Sequence, residues 1–156
     1  MRLLSKEDGT TVWHLRSGQR DLLLLLFEAA ITRPGRTPGL SRQSPGLDAR
    51  YRADLAERLE EGRAGNHRVL TGSLRDPVQC LAADEGHRWT LDPDQTEMLL
   101  QSLNEIRIGA WERLGCPVGE EDRVEVVPGT VEFLDRWILE LSSRFLNVVL
   151  RGLDPE

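Results

Sequence analysis

The segment Leu91–Gly115, LDPDQTEMLLQSLNEIRIGAWERLG, constrains the fold more than any other part of the chain. Asp92 carries the carboxylate that suits a helix N-cap, and Gln95 completes a capping-box spacing. Pro93 stands at the first helical position, where its missing N–H costs nothing. Leu99, Leu103, Ile106, Ala110 and Leu114 then recur every three or four residues and stack on one face. Gly115 ends the run and Pro117 prevents its resumption. The helix so predicted is about 35 Å long at ~1.5 Å per residue, and its apolar face needs a partner. Thr130–Leu150 supplies one. Thr130 is its cap, and Leu134, Trp137, Ile138, Leu141, Phe145, Val148 and Val149 share a face. Leu139, Leu146 and Leu150 add a second apolar strip, as expected of a helix that is central or buried against a second subunit.

Before this pair, Arg2–Lys6 and Thr11–Leu15 flank Asp8-Gly9, a dipeptide suited to the positive φ values of a tight β-hairpin. Gly18–Thr32 reads as a helix with Leu22, Leu23, Leu26, Phe27 and Ala30 on one face. The Pro-Gly pairs at 34–35, 38–39 and 45–46 exclude regular structure and predict a flexible loop over 33–47. Asp48–Glu61 predicts a helix with Tyr51, Leu55 and Leu59 on one stripe. Gly62 and Gly65 predict a break there, followed by a short helix, Asn66–Leu74. Asp76-Pro77 predicts a helical turn over Val78–Ala83, Asp84-Glu85-Gly86 a reversal, and Arg88–Leu91 a brief extended stretch. Val124, Val126 and Val127 predict a short edge strand.

A chain of 156 residues fits one domain, 1–156, on a prior of about 150 residues per domain. With 39% hydrophobic and 29% charged residues it can build a core. Its net charge of −6 makes nucleic acid an improbable partner, because phosphates are repelled unless a local basic patch intervenes. The N-terminus has no apolar signal-peptide core, and the longest apolar run is about ten residues against the ~20 of a membrane span. No membrane association and a cytoplasmic location are therefore expected. Cys80 and Cys116 lie in no Cys/His cluster, which predicts two reduced thiols and no metal or other cofactor.

Chemistry-bearing motifs are absent from the sequence. There is no P-loop, no dinucleotide-binding glycine motif and no nucleophile elbow, and the three histidines have no partner at metal or general-base spacing. The candidate binding residues are Asn104, Arg107 and Trp111, in mid-helix, and Arg36 and Arg42, in the loop. Arg107 lies one turn before Trp111, within reach for a cation–π contact, and at the edge of the apolar face, where pairing with an acidic neighbour is the commoner arrangement. The four tryptophans read as core rather than as cofactor contacts.

Leu103-Asn104-Glu105-Ile106-Arg107-Ile108 resembles the Leu-Asn-Asp-Leu-Arg-Leu segment of an uncharacterised bacterial domain family of unknown function. The resemblance extends to the Leu91-Asp92-Pro93-Asp94 start of that helix, its Leu114-Gly115 end, the early Leu-rich helix and a closing amphipathic helix carrying Trp137. It departs at Glu105, where the family has Asp. The resemblance implies a small, mainly helical cytosolic protein with no catalytic residues to carry over. The family's gene often lies near that of the Clp protease adaptor, which implies a link to regulated proteolysis.

The expectation is thus a mainly α chain, a small helical bundle with an N-terminal β-hairpin. It is expected to act as a non-enzymatic interaction or regulatory domain that binds a protein partner or associates with itself through its long apolar helices. The alternative is a small-molecule or anion-binding protein, or an enzyme, with a pocket near Arg107. Nucleic-acid binding through the 33–42 loop ranks third.

Overall fold

A computed structural model describes residues 1–32, 49–117 and 127–154. The elements run β1 (Arg2–Glu7), β2 (Thr10–Arg16), α1 (Gln19–Thr32), α2 (Ala49–Arg75), β3 (Cys80–Ala83), β4 (Gly86–Leu91), α3 (Pro93–Arg113) and α4 (Val131–Leu153). The protein is mainly α. The N-terminal hairpin, however, is half of a four-stranded antiparallel sheet of order β1-β2-β4-β3, rather than a hairpin leaning on helices. β2 accepts β4 along its whole length, from Thr11 opposite Leu91 to Arg16 opposite Gly86. The reason is the alternation shared by the two strands. Thr11, Trp13 and Leu15 on β2 and Trp89 and Leu91 on β4 are buried, while the residues between them are not.

Asp8 and Gly9 turn the first hairpin with φ 49° and 80°, as the dipeptide predicts. At the other hairpin, the reversal at Asp84-Glu85-Gly86 is as expected, but Val78–Ala83 is not helical. Asp76 Oδ1 accepts from Val78 N at 2.8 Å and turns the chain into β3. A strand of four residues has little signal of its own and exists here because β4 lies beside it.

The second correction concerns α2, which runs unbroken for 27 residues through Gly62 and Gly65. Two glycines disfavour a helix by about 1 kcal/mol each, and burial of His67, Leu70, Ser73 and Leu74 at its far end outweighs them. The central helix is as read. Asp92 accepts from Gln95 N at 2.7 Å, and Gln95 returns a contact to Asp92 N at 3.2 Å. Thr130 caps α4 by accepting from Phe133 N. The 33–47 loop and positions 124 and 126 of the expected edge strand lie outside the described residues; Val127 is not in a strand.

The core sits between the sheet's inner face and the helices. Trp13 and Trp89 are direct cross-strand neighbours and both are fully buried. Trp13 Nε1 donates to Thr11 Oγ1 at 2.9 Å, and Thr11 shares a hydrogen bond with Thr96 of α3. Trp89 Nε1 donates to Ser73 of α2 at 3.0 Å. α4 reaches the same face at Gly152, where an added Cβ would stand 2.8 Å from the Trp13 ring. α3 and α4 pack along their lengths, joined by an ion pair from Arg113 Nε to the buried Asp135 at 2.8 Å.

Candidate interaction surface and polar seam

The central helix places Asn104, Arg107 and Trp111 on one flank, but their contacts differ from expectation. Arg107 Nη2 donates to Asn104 Oδ1 at 2.9 Å, so its partner among the described residues is a neutral amide one turn back, neither an acidic neighbour nor the Trp111 ring. An uncharged acceptor holds a guanidinium in place without neutralising it. Trp111 is not core: it is 37% exposed, and Nε1 donates to Pro117 O at 3.2 Å. The fully buried tryptophans are Trp13 and Trp89. Arg36 and Arg42 lie outside the described residues.

The opposite flank of α3 meets α2 in a polar seam. Arg63 Nε stands 3.3 Å from Glu105 Oε1, and Asn66 donates to Gln101 Oε1 at 3.4 Å. As α2 ascends from 63 to 66, α3 descends from 105 to 101, so the helices are antiparallel. That register brings the next turn of α2, with His67, to the level of Ser102. His67 is buried and stacks on Phe27 of α1, with ring centroids 6.0 Å apart and planes at 23°. Burial first, and the Arg63 guanidinium second, lower its pKa to about 4, so the ring is neutral at pH 7. Burial likewise raises the pKa of Glu105, opposed by Arg63. His67 Nε2, Thr71 Oγ1, Ser102 Oγ and Glu105 Oε2 are buried and find no hydrogen-bond partner among the described residues.

The sheet's outer face is the third feature, and single-sequence reading missed it. Among the described residues, the buried side chains of the sheet all lie on the Trp13 side. On the other side, β-sheet register sets Arg2 opposite His14, His14 opposite Arg88, and Arg88 opposite Leu81. Direct cross-strand neighbours project on the same side, so these four form one row across the sheet. Arg16 follows two residues after His14 on the same side. Arg2, Arg16 and Arg88 are exposed, Leu81 is 52% exposed, and none of the three arginines forms an ion pair among the described residues. A chain of net charge −6 thus gathers cations on one open face. The alternation of His14 and Arg16 with Trp13 and Leu15 is visible in the sequence. That Arg2 and Arg88, 86 positions apart, lie in line with them is decided by pairing.

A family model for a domain of unknown function, DUF2017, matches residues 28–136. The chain belongs to the DUF2017 family. A search of curated proteins and one of solved structures find no match. The DUF2017 match begins in α1 and ends in α4, so it takes in the polar seam, Arg88 and the Asn104–Arg107 pair, and leaves out β1 and β2 with Arg2, His14 and Arg16. In this DUF2017 protein both cysteines are free, Cys80 buried and Cys116 exposed. Among the described residues no helix is long and apolar enough to cross a membrane.

Proposed function

We propose that this DUF2017 protein is a non-enzymatic interaction module whose open sheet face receives an acidic segment of a protein partner. The observation that carries this reading is the row Arg2–His14–Arg88, with Arg16 beside it, its three arginines exposed and without carboxylate partners among the described residues, on a chain of net charge −6. Unpaired guanidiniums on a rigid platform suit carboxylates, which they bind in bidentate geometry. A single-stranded nucleic acid is the weaker fit, because it needs aromatic rings on the platform for base stacking. Trp13 and Trp89, the sheet's tryptophans, face the core.

The test is fluorescence anisotropy with a labelled Asp/Glu-rich peptide and, in parallel, a labelled single-stranded RNA, each at low and moderate salt. The peptide is expected to bind with salt-dependent affinity, and Arg2→Glu/Arg88→Glu to abolish binding. Equal peptide affinity in the two proteins removes the face from consideration, and tighter RNA binding would replace an acidic protein with a nucleic acid. A pull-down from lysate with the same variant alongside asks whether the partner is a protease component, the link that the sequence resemblance implies.

A second reading, a binder of a small polar molecule, is favoured by the α2–α3 seam, where His67 Nε2, Ser102 Oγ and Glu105 Oε2 are buried without hydrogen-bond partners among the described residues, at a cost of about 1–3 kcal/mol each if left so. The Arg107 flank has one such atom among the described residues, Arg107 Nε, so the seam is the better location. A thermal-shift screen of polar metabolites tests it: a ligand whose stabilisation survives Ser102→Ala would argue against the seam.

A further inference from the structure

His14 stands in the middle of the basic row, and on the outer side of the sheet it has arginine neighbours in three directions. Arg2 is directly opposite it on β1, Arg88 directly opposite it on β4, and Arg16 is the next residue of β2 on that side. Sheet geometry fixes the triangle they form. Arg16 is a diagonal neighbour of Arg2 and of Arg88, at about 7–8 Å, and those two are roughly 10 Å apart across two strand spacings. His14 is half-buried and the three arginines are exposed, so the imidazole lies lower on the face than the side chains around it. None of the three guanidiniums has an ion-pair partner among the described residues, and Asp84 and Glu85, in the turn beside Gly86, are no exception.

Three unpaired guanidiniums around one centre suit a compact group of high charge. A carboxylate has one charge and two oxygens, which satisfy a single arginine fork. Engaging all three would take three carboxylates set about 7–10 Å apart. A phosphate monoester carries about −1.5 to −2 charges at pH 7 and three acceptor oxygens on one atom. The long stem of arginine lets each guanidinium bend toward the middle of the triangle. We propose that the acidic segment received by this face carries a phosphorylated side chain, with its phosphoryl group above His14 and among Arg2, Arg16 and Arg88. The surroundings favour a protein segment over a free phosphate. A sheet face is not a cleft, and a small ion buries little of its surface there. Val12, half-buried, and Leu81, 52% exposed, flank the arginines and offer apolar contacts to the residues beside the phosphorylated one. The segment lies on the face rather than along an edge, because β1 is bulged between Leu3 and Ser5 and β3 has four residues, which disfavours strand addition.

This inference rests on the proposed reading of the sheet face as a receiver of acidic segments, and names the chemistry of the segment. Its test is fluorescence anisotropy at moderate salt with labelled peptides of one sequence, carrying phosphoserine, a Glu-Glu pair of equal charge, or serine between two leucines. The proteins are the wild type and Arg2→Lys/Arg16→Lys/Arg88→Lys, which keeps every charge and removes the forks. The three positions are exposed, and far-UV circular dichroism checks that the fold is kept. The wild type is expected to bind the phosphopeptide at least tenfold more tightly than the Glu-Glu peptide, and the lysine variant to lose that preference. Inorganic phosphate is expected to compete only at far higher concentration than unlabelled phosphopeptide. Equal binding of the phosphorylated and Glu-Glu peptides overturns the phosphoryl site and leaves the acidic-segment reading standing, whereas no binding of either removes both. A preference that survives in the lysine variant, or inorganic phosphate that competes as well as the phosphopeptide, also overturns the inference. So does tighter binding to phosphatidic-acid vesicles, which would make the partner a membrane.

Discussion

His67 makes stability depend on pH in a defined window. The ring is 5% exposed and stacked on Phe27, and its pKa falls from the ordinary 6.5 to about 4. Unfolding returns it to water, where it takes up a proton near pH 6.5. Between the two values the unfolded chain binds more protons than the folded one, so stability falls as the pH falls. At about 1.36 kcal/mol per pH unit, that window is worth roughly 3 kcal/mol, against a total of 5–15 kcal/mol for a domain. The contribution is fully present above pH 6.5, declines from there to pH 4, and is flat below. His67→Gln keeps a polar side chain that never charges. Urea unfolding of both proteins at intervals from pH 8 to 4.5 is expected to show the wild type losing about 2–3 kcal/mol more than the variant below pH 6.5. Comparing the two curves cancels the carboxylates, including Glu105, whose raised pKa acts in the opposite direction. Parallel curves, or an imidazole that titrates near 6.5 in the folded protein by NMR, would refute the argument from burial.

The same substitution is expected to act in opposite directions at different glycines of the helices. Gly152→Ala pushes a methyl to within 2.8 Å of the buried Trp13 ring and is expected to lower stability by about 1–3 kcal/mol. Gly62→Ala meets nothing within 4 Å and is expected to raise it, by up to ~1 kcal/mol, from helix propensity alone; melting temperatures distinguish the signs. Asp92→Ala removes the acceptor for Gln95 N and is expected to cost about 1 kcal/mol in chemical denaturation. With a thiol-specific disulfide reagent, Cys116 is expected to react promptly in the native protein. Cys80, buried and with its pKa raised by burial, is expected to react only on unfolding. Two fast thiols in the native state would contradict the buried position of Cys80.

What the sequence determined by itself was local. The Asp92–Pro93–Gln95 start of α3, the Thr130 cap of α4, the Asp8-Gly9 turn and the apolar stripes of both long helices are each complete within a few residues. Capping and turn chemistry act between near neighbours, so they can be read without the fold. The interaction candidates chosen on that basis, Asn104, Arg107 and Trp111, were likewise residues of one helix. What only tertiary structure decided is everything that depends on distant strands or on competing costs. β3 is four residues long and forms because β4 offers it a ladder. α2 passes through Gly62 and Gly65 because burial of His67, Leu70 and Leu74 outweighs a propensity penalty that is small at each site. The basic face exists because sheet register aligns Arg2, His14 and Arg88 from three strands, and the polar seam exists because antiparallel packing sets α2 against α3. Hydrogen-bond register and burial are properties of pairs of segments, which is why no one stretch of the chain could display them.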